Sequence, residues 1–450
     1  MSLKYKFFSF IPHFLQNCII SFLNNKNYIM RHGGKYDEFR EYYKKADFLN
    51  SNDLQLAINE KKDNFLNYSV NKSKWYSTYK NMNFSDIPPL NKVDLINNLN
   101  DIKTIDEAKG IISLTGGTTG ASMKVIYTQE DMQERFAILD HFRAKHGYTL
   151  GKKTAWFSGK NLITKSDLRK SRCFHYDFIN KIRFYSTFLI NVENFDIYWQ
   201  DLNKFKPEFI VGFPSSVYEL CKIAKSRGLK LETPVKVFFP TAETVLQEHR
   251  TVIGEIMGCK LVDQYASSEG APFILECDQG KLHLHPLTGI FEVVDSELKP
   301  SSKGELLVTS FTTHGTPLVR YRIGDSVELG SSMEFCACGS KFPIIESIQG
   351  RTTDYIYSEE CGKVNLGNLS NSTKDVEGII CFQILQDNYD SLDLFIVKNN
   401  KFNKLEENKF ISSLRERVGE KIGINITYVD NIAKEKSGKF RIVKNNLKIE

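Results

Sequence analysis

The chain has 450 residues, 41% hydrophobic and 25% charged, with 60 Lys and Arg against 54 Asp and Glu. That length exceeds what one hydrophobic core organises, so two or three domains are expected. The composition is that of an ordinary globular protein, and the formal net charge of +6 is too mild and dispersed to argue for a nucleic-acid partner.

The chain opens on an apolar stretch, KYKFFSFIPHFLQNCIISFL, that resembles neither a leader nor a membrane span. Pro12, His13, Gln16 and Asn17 interrupt it, no small-residue cleavage site follows, and its uninterrupted apolar runs are too short to cross a bilayer. It reads as a helix packed on the main body, with a peripheral membrane contact as the second reading. Nine cysteines, an odd number in a long chain, predict a reducing cytoplasm rather than a secreted disulfide framework.

Residues 1–105 read as helices and turns packed on the main domain. The segment DIPPLNKVDLINN closes them, with Asp94 in the first turn of a new helix. Next comes LTGGTTGASMKV, residues 114–125, a Gly/Thr loop that reads as a turn between two short strands. It lacks the spacing and the following helix of a mononucleotide P-loop. Glycines and threonines there suit an anion, because backbone N–H groups approach closely and hydroxyls add donors. A plain hairpin turn is the alternative reading. The helix starts later, where TQED supplies a cap after strand KVIYT.

Strands and helices then alternate through TAWFSG, FYSTFLI, NFDIYWQDLNKF, FIVGF, SSVYELCKIAKSRG, VKVFFP and VLQEHRTVIGEIMG. This rhythm predicts an α/β domain with largely parallel sheets, here placed at 106–350. After residue 270 strands dominate, with GIFEVVD, GELLVTS and PLVRYRI forming a strand-rich subdomain. Composition shifts near GRTTDY, and 351–450 reads as a compact, mobile α+β domain with a hairpin, a helix and a final strand.

Four further stretches follow the Gly/Thr loop in order: DQYASSEG at 263–270, VRYRIGDS at 319–326, GRTTDY at 350–355 and KEKSGKFRIV at 434–443. With TGGTTG they resemble the core motifs of the adenylate-forming superfamily. GFPSSVYEL and PTAETV are similar to its phenylacetate–CoA ligase branch, and to capsule- and O-antigen-cluster members most of all. The resemblance spans essentially the whole chain. It implies that a carboxylate attacks the α-phosphorus of ATP, giving an acyl-AMP and pyrophosphate, after which a nucleophile displaces AMP.

By that resemblance Thr115, Gly117, Thr118, Thr119 and Gly120 cradle the β- and γ-phosphates. Gly116 stands where the family has Ser, and Lys124 lies one place late. Tyr265 stacks on adenine, Asp263 accepts from its amino group, and Ser268 touches the α-phosphate. Ala266 replaces the usual Gly. Glu269 binds Mg²⁺, a hard cation suited to carboxylate and phosphate oxygens. Ala242 and Glu243 fall on the nucleotide side, Asp325 accepts both ribose hydroxyls, and Arg351 holds ribose or phosphate. Lys439 pairs with the carboxylate and the α-phosphate during adenylation, stabilising the developing charge. A solvated basic tail is the alternative for its surroundings. The hinge for a swinging C-terminal domain would be Thr353, followed by Asp354.

Cysteine placement adds a separate feature. Cys277, His283, Cys336 and Cys338 offer three thiolates and an imidazole, a tetrahedral structural zinc set in which His285 is the alternative to His283. The acid pocket is assigned to Trp156, Phe213, Pro214, Ser215 and Ala242, which flank the motifs.

The expected function is ATP- and Mg²⁺-dependent activation of a small carboxylic acid, with transfer to coenzyme A or a carrier-protein thiol. The resemblance extends this to surface polysaccharide synthesis. No nucleic-acid partner and no transmembrane segment are expected, and both monomer and dimer stay open. The rival readings are transfer of AMP itself, as in coenzyme F390 synthetases, and a non-catalytic acid- or nucleotide-binding protein.

Overall fold

The structure, a computed structural model, describes residues 11–115, 123–158, 163, 165–187, 189–330, 336–349, 355–373, 375–433 and 441–447. Helices α1 (His13–His32), α2 (Tyr36–Ala46) and α3 (Ser51–Lys72) come first. Helix α2 packs on α4 (Gln129–Lys145), and α1 lies along an edge strand of the main sheet.

The Gly/Thr loop springs from a two-stranded antiparallel hairpin, β1 (Ile111–Thr115) and β2 (Met123–Tyr127), in register from Ile111 opposite Tyr127 to Thr115 opposite Met123. As expected, Thr128 caps α4. Its hydroxyl accepts from the Asp131 N–H at 3.0 Å, and Asp131 returns the contact to the Thr128 N–H at 2.9 Å.

The expected α/β domain has a six-stranded sheet in the order β4 (Phe174–Asp177), β5 (Ile182–Ser186), β3 (Thr154–Ser158), β6 (Phe209–Gly212), β7 (Val237–Pro240) and β8 (Lys260–Leu261). All pairings are parallel except β4 with β5. The antiparallel edge strand β4 is an addition that the βα rhythm did not contain.

Side chains alternate across this sheet with period two. Phe157, Ile210 and Phe238 join a buried cluster with α5 (Phe195–Phe205), α6 (Pro214–Ser226) and α7 (Gln247–Met257). Phe209, Val211 and Phe239 face the other way and pack with Phe142 of α4. Burying both faces explains why these strands read as continuous apolar runs.

The strand-rich part is a seven-stranded antiparallel sheet. Its order is β12 (Gly289–Val294), β13 (Lys303–Ser310), β14 (Tyr321–Leu329), β15 (Ile344–Gln349), β11 (Leu282–Leu284), β10 (Ile274–Glu276) and β9 (Gln264–Tyr265).

A separate C-terminal domain follows. It begins with the hairpin β16 (Tyr355–Ser358) and β17 (Gly362–Asn365). A four-stranded sheet then runs in the order β20 (Gly423–Tyr428), β19 (Ser391–Lys398), β18 (Ile379–Gln386) and β21 (Val443–Asn445). Helix α8 (Lys404–Val418) buries Phe410, Leu414 and Val418 against Phe382, Ile384 and Leu394. The expected boundary at residue 351 lies outside the described residues.

Candidate functional site

Three segments far apart in sequence meet beside the Gly/Thr hairpin. Ser113 of β1 donates its hydroxyl to the Ser268 carbonyl at 3.0 Å, and the Tyr127 hydroxyl donates to the same oxygen at 3.0 Å. Both strands leading to the loop are thus fastened to the SSEG turn. The Ser268 side chain stays exposed, and Glu269 behind it is buried.

One strand away, the Tyr265 hydroxyl donates to Asp325 Oδ2 at 2.7 Å. Burial, reinforced by the Asp325 charge, holds the phenol well above its ordinary pKa, so Tyr265 keeps its proton and donates. The residues expected to meet adenine and ribose are therefore neighbours, with Tyr265 fixing one oxygen of Asp325.

Asp263 is fixed from behind. Its Oδ1 accepts from the Gln264 N–H at 2.8 Å, while its own N–H donates to Glu276 Oε2 at 2.7 Å. Arg250 forks onto both Glu276 oxygens at 3.0 and 2.8 Å. Burial first, and the Glu276 charge second, push the Asp263 carboxyl up to about 6.

Arg135 of α4 was not singled out in the sequence, yet it organises this turn. Its guanidinium donates to the carbonyls of Gly270 and Ala271 at 3.1 Å each, to Thr312 Oγ1 at 2.9 Å and to the Ser267 carbonyl at 3.3 Å. It also lies 4.8 Å from the Phe273 ring centroid. Gly270 has φ +100, and a Cβ there would lie 2.4 Å from Thr313 Cγ2, so the turn requires glycine. An arginine in a helix reads as a solvated face. Only the packing of α4 under the turn reveals it.

The carboxyl edge of the parallel strands is where open α/β sheets hold ligands. Gly212 ends β6 with φ +143, and a Cβ would fall 2.0 Å from the Phe157 carbonyl oxygen. The buried residues Phe213 and Pro214 lead directly into α6. Ser215 then binds Glu243 twice, through its N–H at 3.0 Å and its hydroxyl at 2.9 Å. Glu243 therefore serves as an acidic cap at the α6 N-terminus. Burial nevertheless pushes its carboxyl up to about 7. Ala242 beside it is exposed and left-handed, with φ 65. Trp156 is half-buried against the cluster of Phe142, Phe209, Val211 and Phe239.

Lys124 forms an ion pair with Glu107 at 2.9 Å. Gly116, Gly117, Thr118, Thr119, Gly120, Arg351, Thr353, Asp354 and Lys439 lie outside the described residues. Thr115 ends β1.

Behind β11 the cysteines and histidine converge. One ligand atom from each of Cys277, His283, Cys336 and Cys338 lies within 4.8 Å of the others. Cys277 Sγ is 3.7 Å from Cys336 Sγ, and Cys338 Sγ is 3.6 Å from His283 Nε2. A tetrahedral site with metal–sulfur bonds of about 2.3 Å has a sulfur–sulfur edge of roughly 3.8 Å, so the donor set fits zinc. His283 Nδ1 bonds the Phe342 carbonyl at 2.9 Å, which directs Nε2 to the thiols. His285 instead packs at a tilt against Phe342, with ring centroids 4.7 Å apart, and lies outside the cluster.

Comparisons with known proteins bear on the family and the fold. The family model for the CapK C-terminal domain matches residues 356–446. Protein CapK of Staphylococcus aureus is 32% identical over 455 residues, covering 97% of this chain and 98% of that one. Indoleacetate–lysine synthetase of Pseudomonas savastanoi is 27% identical over 136 residues, 29% of this chain and 32% of its own length. A 2-hydroxyisobutyryl-CoA ligase solved with 2-HIB-AMP and CoA in the thioesterification state shares the fold. Its TM-score is 0.59 at 16% identity, covering 89% of this chain and 91% of that one. The same enzyme in its postadenylation state gives 0.56, at the same identity and coverage. The full-length match to Protein CapK, on a fold shared with a 2-hydroxyisobutyryl-CoA ligase, places this chain in the CapK family.

Proposed function

We propose that the protein activates a small carboxylic acid as an acyl-AMP at the expense of ATP and passes the acyl group to a thiol of coenzyme A or a carrier protein. The observation that carries this reading is the joining of the Gly/Thr hairpin, the SSEG turn and Asp325 through Ser113–Ser268 and Tyr265–Asp325.

In this reading the ring of Tyr265 receives adenine and Asp325 accepts from the ribose hydroxyls. Asp263 reads the adenine amino group, and Ala242 and Glu243 border the nucleotide from the other wall. The hairpin loop supplies N–H and hydroxyl donors to the phosphates. Glu269 would hold Mg²⁺, which neutralises phosphate charge when bound. The acid lies between Trp156, Phe213, Pro214, Ser215 and Ala242. Its carboxylate oxygen attacks the α-phosphorus, and pyrophosphate leaves with the electron pair of the broken P–O bond. Lys439 approaches for this step alone if the C-terminal domain turns about Thr353. Cys277, His283, Cys336 and Cys338 would hold a structural zinc, since four protein donors leave no open position for substrate. A cytoplasmic site and a role in surface polysaccharide synthesis follow from the same reading.

The test supplies ATP, Mg²⁺, coenzyme A and a panel of aryl and short hydroxy acids, with product masses recorded. An acyl-CoA together with free AMP supports the reading. A stable AMP adduct of an acceptor would replace it with AMP transfer, and ATP binding without turnover would leave a binding protein.

A further inference from the structure

Helix α1 presents the wrong face to the protein. Its inward residues Gln16, Asn17 and Ser21 are polar and buried. Asn17 and Ser21 bond the edge strand β4 and the turn after it. Asn17 Oδ1 accepts from the Tyr176 N–H at 3.0 Å, and Ser21 Oγ accepts from the Phe178 N–H at 2.9 Å. These bonds cover an open sheet edge in place of another strand.

The outward half of α1 is apolar. Phe14, Leu15, Ile19, Phe22 and Leu23 are 65%, 48%, 38%, 70% and 53% exposed. At about 100° per residue they spread over about half the helix circumference. Ile29 extends the face along the helix. Phe178 and Ile179 of the β4–β5 turn widen it, the Phe14 and Phe178 rings standing 5.9 Å apart. A continuous apolar face marks a binding surface, whereas scattered exposed apolar residues do not.

Charge selects the occupant. Residues 1–36 contain no Asp or Glu; of their described cations, Arg31 packs over Phe136 and Lys35 pairs with Glu130, which leaves Lys26 for the face. Lys26 is exposed one turn beyond Phe22, and Lys181 is exposed at the end of the β4–β5 turn. The adjacent acid, Asp177, is buried and bonded to the N–H groups of Ile179 and Asn180. Two copies of this face would oppose like charges, whereas an anionic lipid surface complements them. Among the described residues no helix is long and apolar enough to cross a membrane, so α1 would lie on the bilayer.

We propose that α1 and the β4–β5 turn form a docking face for an anionic phospholipid bilayer, with Phe14, Leu15, Phe22, Leu23 and Phe178 seated among the headgroups. This assignment is independent of the ligase chemistry. It is tested by flotation of the full chain with vesicles of phosphatidylcholine alone or mixed with phosphatidylglycerol.

Binding is expected on the mixed vesicles and about tenfold weaker on the neutral ones, with loss near about 0.5 M salt. The double variant Leu15→Ser, Phe22→Ser should lose about tenfold or more in binding. Its thermal unfolding should be unchanged, because both side chains are exposed. Absent flotation, equal flotation with both lipids, or an unaffected double variant would overturn the proposal. So would a wild-type dimer that the double variant converts to monomer, since the face would then belong to a second copy. Binding that emerges only after deletion of residues 1–10 would assign the face to the chain's own N-terminal segment and overturn it equally.

Discussion

The candidate nucleotide wall and the Cys/His cluster hold their polar atoms in opposite ways. Along the wall they are paired within the protein: Tyr265 with Asp325, Ser215 with Glu243, and Arg135 with three carbonyls and Thr312. In the cluster, one donor atom from each of three cysteines and His283 lies within 4.8 Å of the others, with contacts as long as 3.6 and 3.7 Å between them. A wall of paired groups is rigid before its ligand arrives and exchanges bonds with it. Converging soft donors gain their stabilisation only from a cation. The first arrangement suits a substrate that comes and goes, the second a resident metal.

The largest effect is expected at the wall. Glu269→Gln keeps the size of a buried side chain but removes its charge, so acid-dependent pyrophosphate release should fall by about 10²–10³-fold with the fold intact. Near-normal release at saturating Mg²⁺ would break the distinction drawn for this wall. At the cluster the effect should be on stability. Protein purified without added zinc should carry about one zinc per chain by metal analysis. Cys336→Ser should lose it together with several kcal/mol in denaturant unfolding. A fully folded wild-type chain free of metal would remove the contrast.

A smaller effect sharpens the comparison within the wall. The Glu243 carboxyl, pushed up to about 7, keeps its proton in the folded state where the unfolded chain has lost it. Between about pH 4.5 and 7 the folded state therefore binds more protons, and stability falls as pH rises. Glu243→Gln should flatten that part of the stability profile. An unchanged slope would mean that the carboxyl titrates normally.

These two regions also differ in how far the sequence disclosed them. The candidate metal set was legible in the cysteine placement, with unliganded thiols as the alternative, but the histidine stayed open between His283 and His285. His283 and His285 are two residues apart, and only the Phe342 carbonyl on Nδ1 of His283 separates them. The hairpin, the Thr128 cap and the alternating strands followed from local chemistry. Asp325 and Tyr265 were named singly, yet their bond depends on β9 and β14 sharing a sheet across non-neighbouring strands. Arg135 and the polar inner face of α1 defied the reading for one reason. Both bury groups that composition assigns to solvent, and tertiary hydrogen bonds alone make that burial favourable.

The most direct measurement is ATP–pyrophosphate exchange across a panel of carboxylic acids, run on the wild type and on Asp325→Asn. The account predicts exchange that depends on one class of acid and on Mg²⁺. The apparent affinity for ATP should weaken at least about tenfold in the variant, because a charged acceptor for the ribose hydroxyls is lost. ATP binding without exchange for any acid, or exchange indifferent to Asp325, would contradict it.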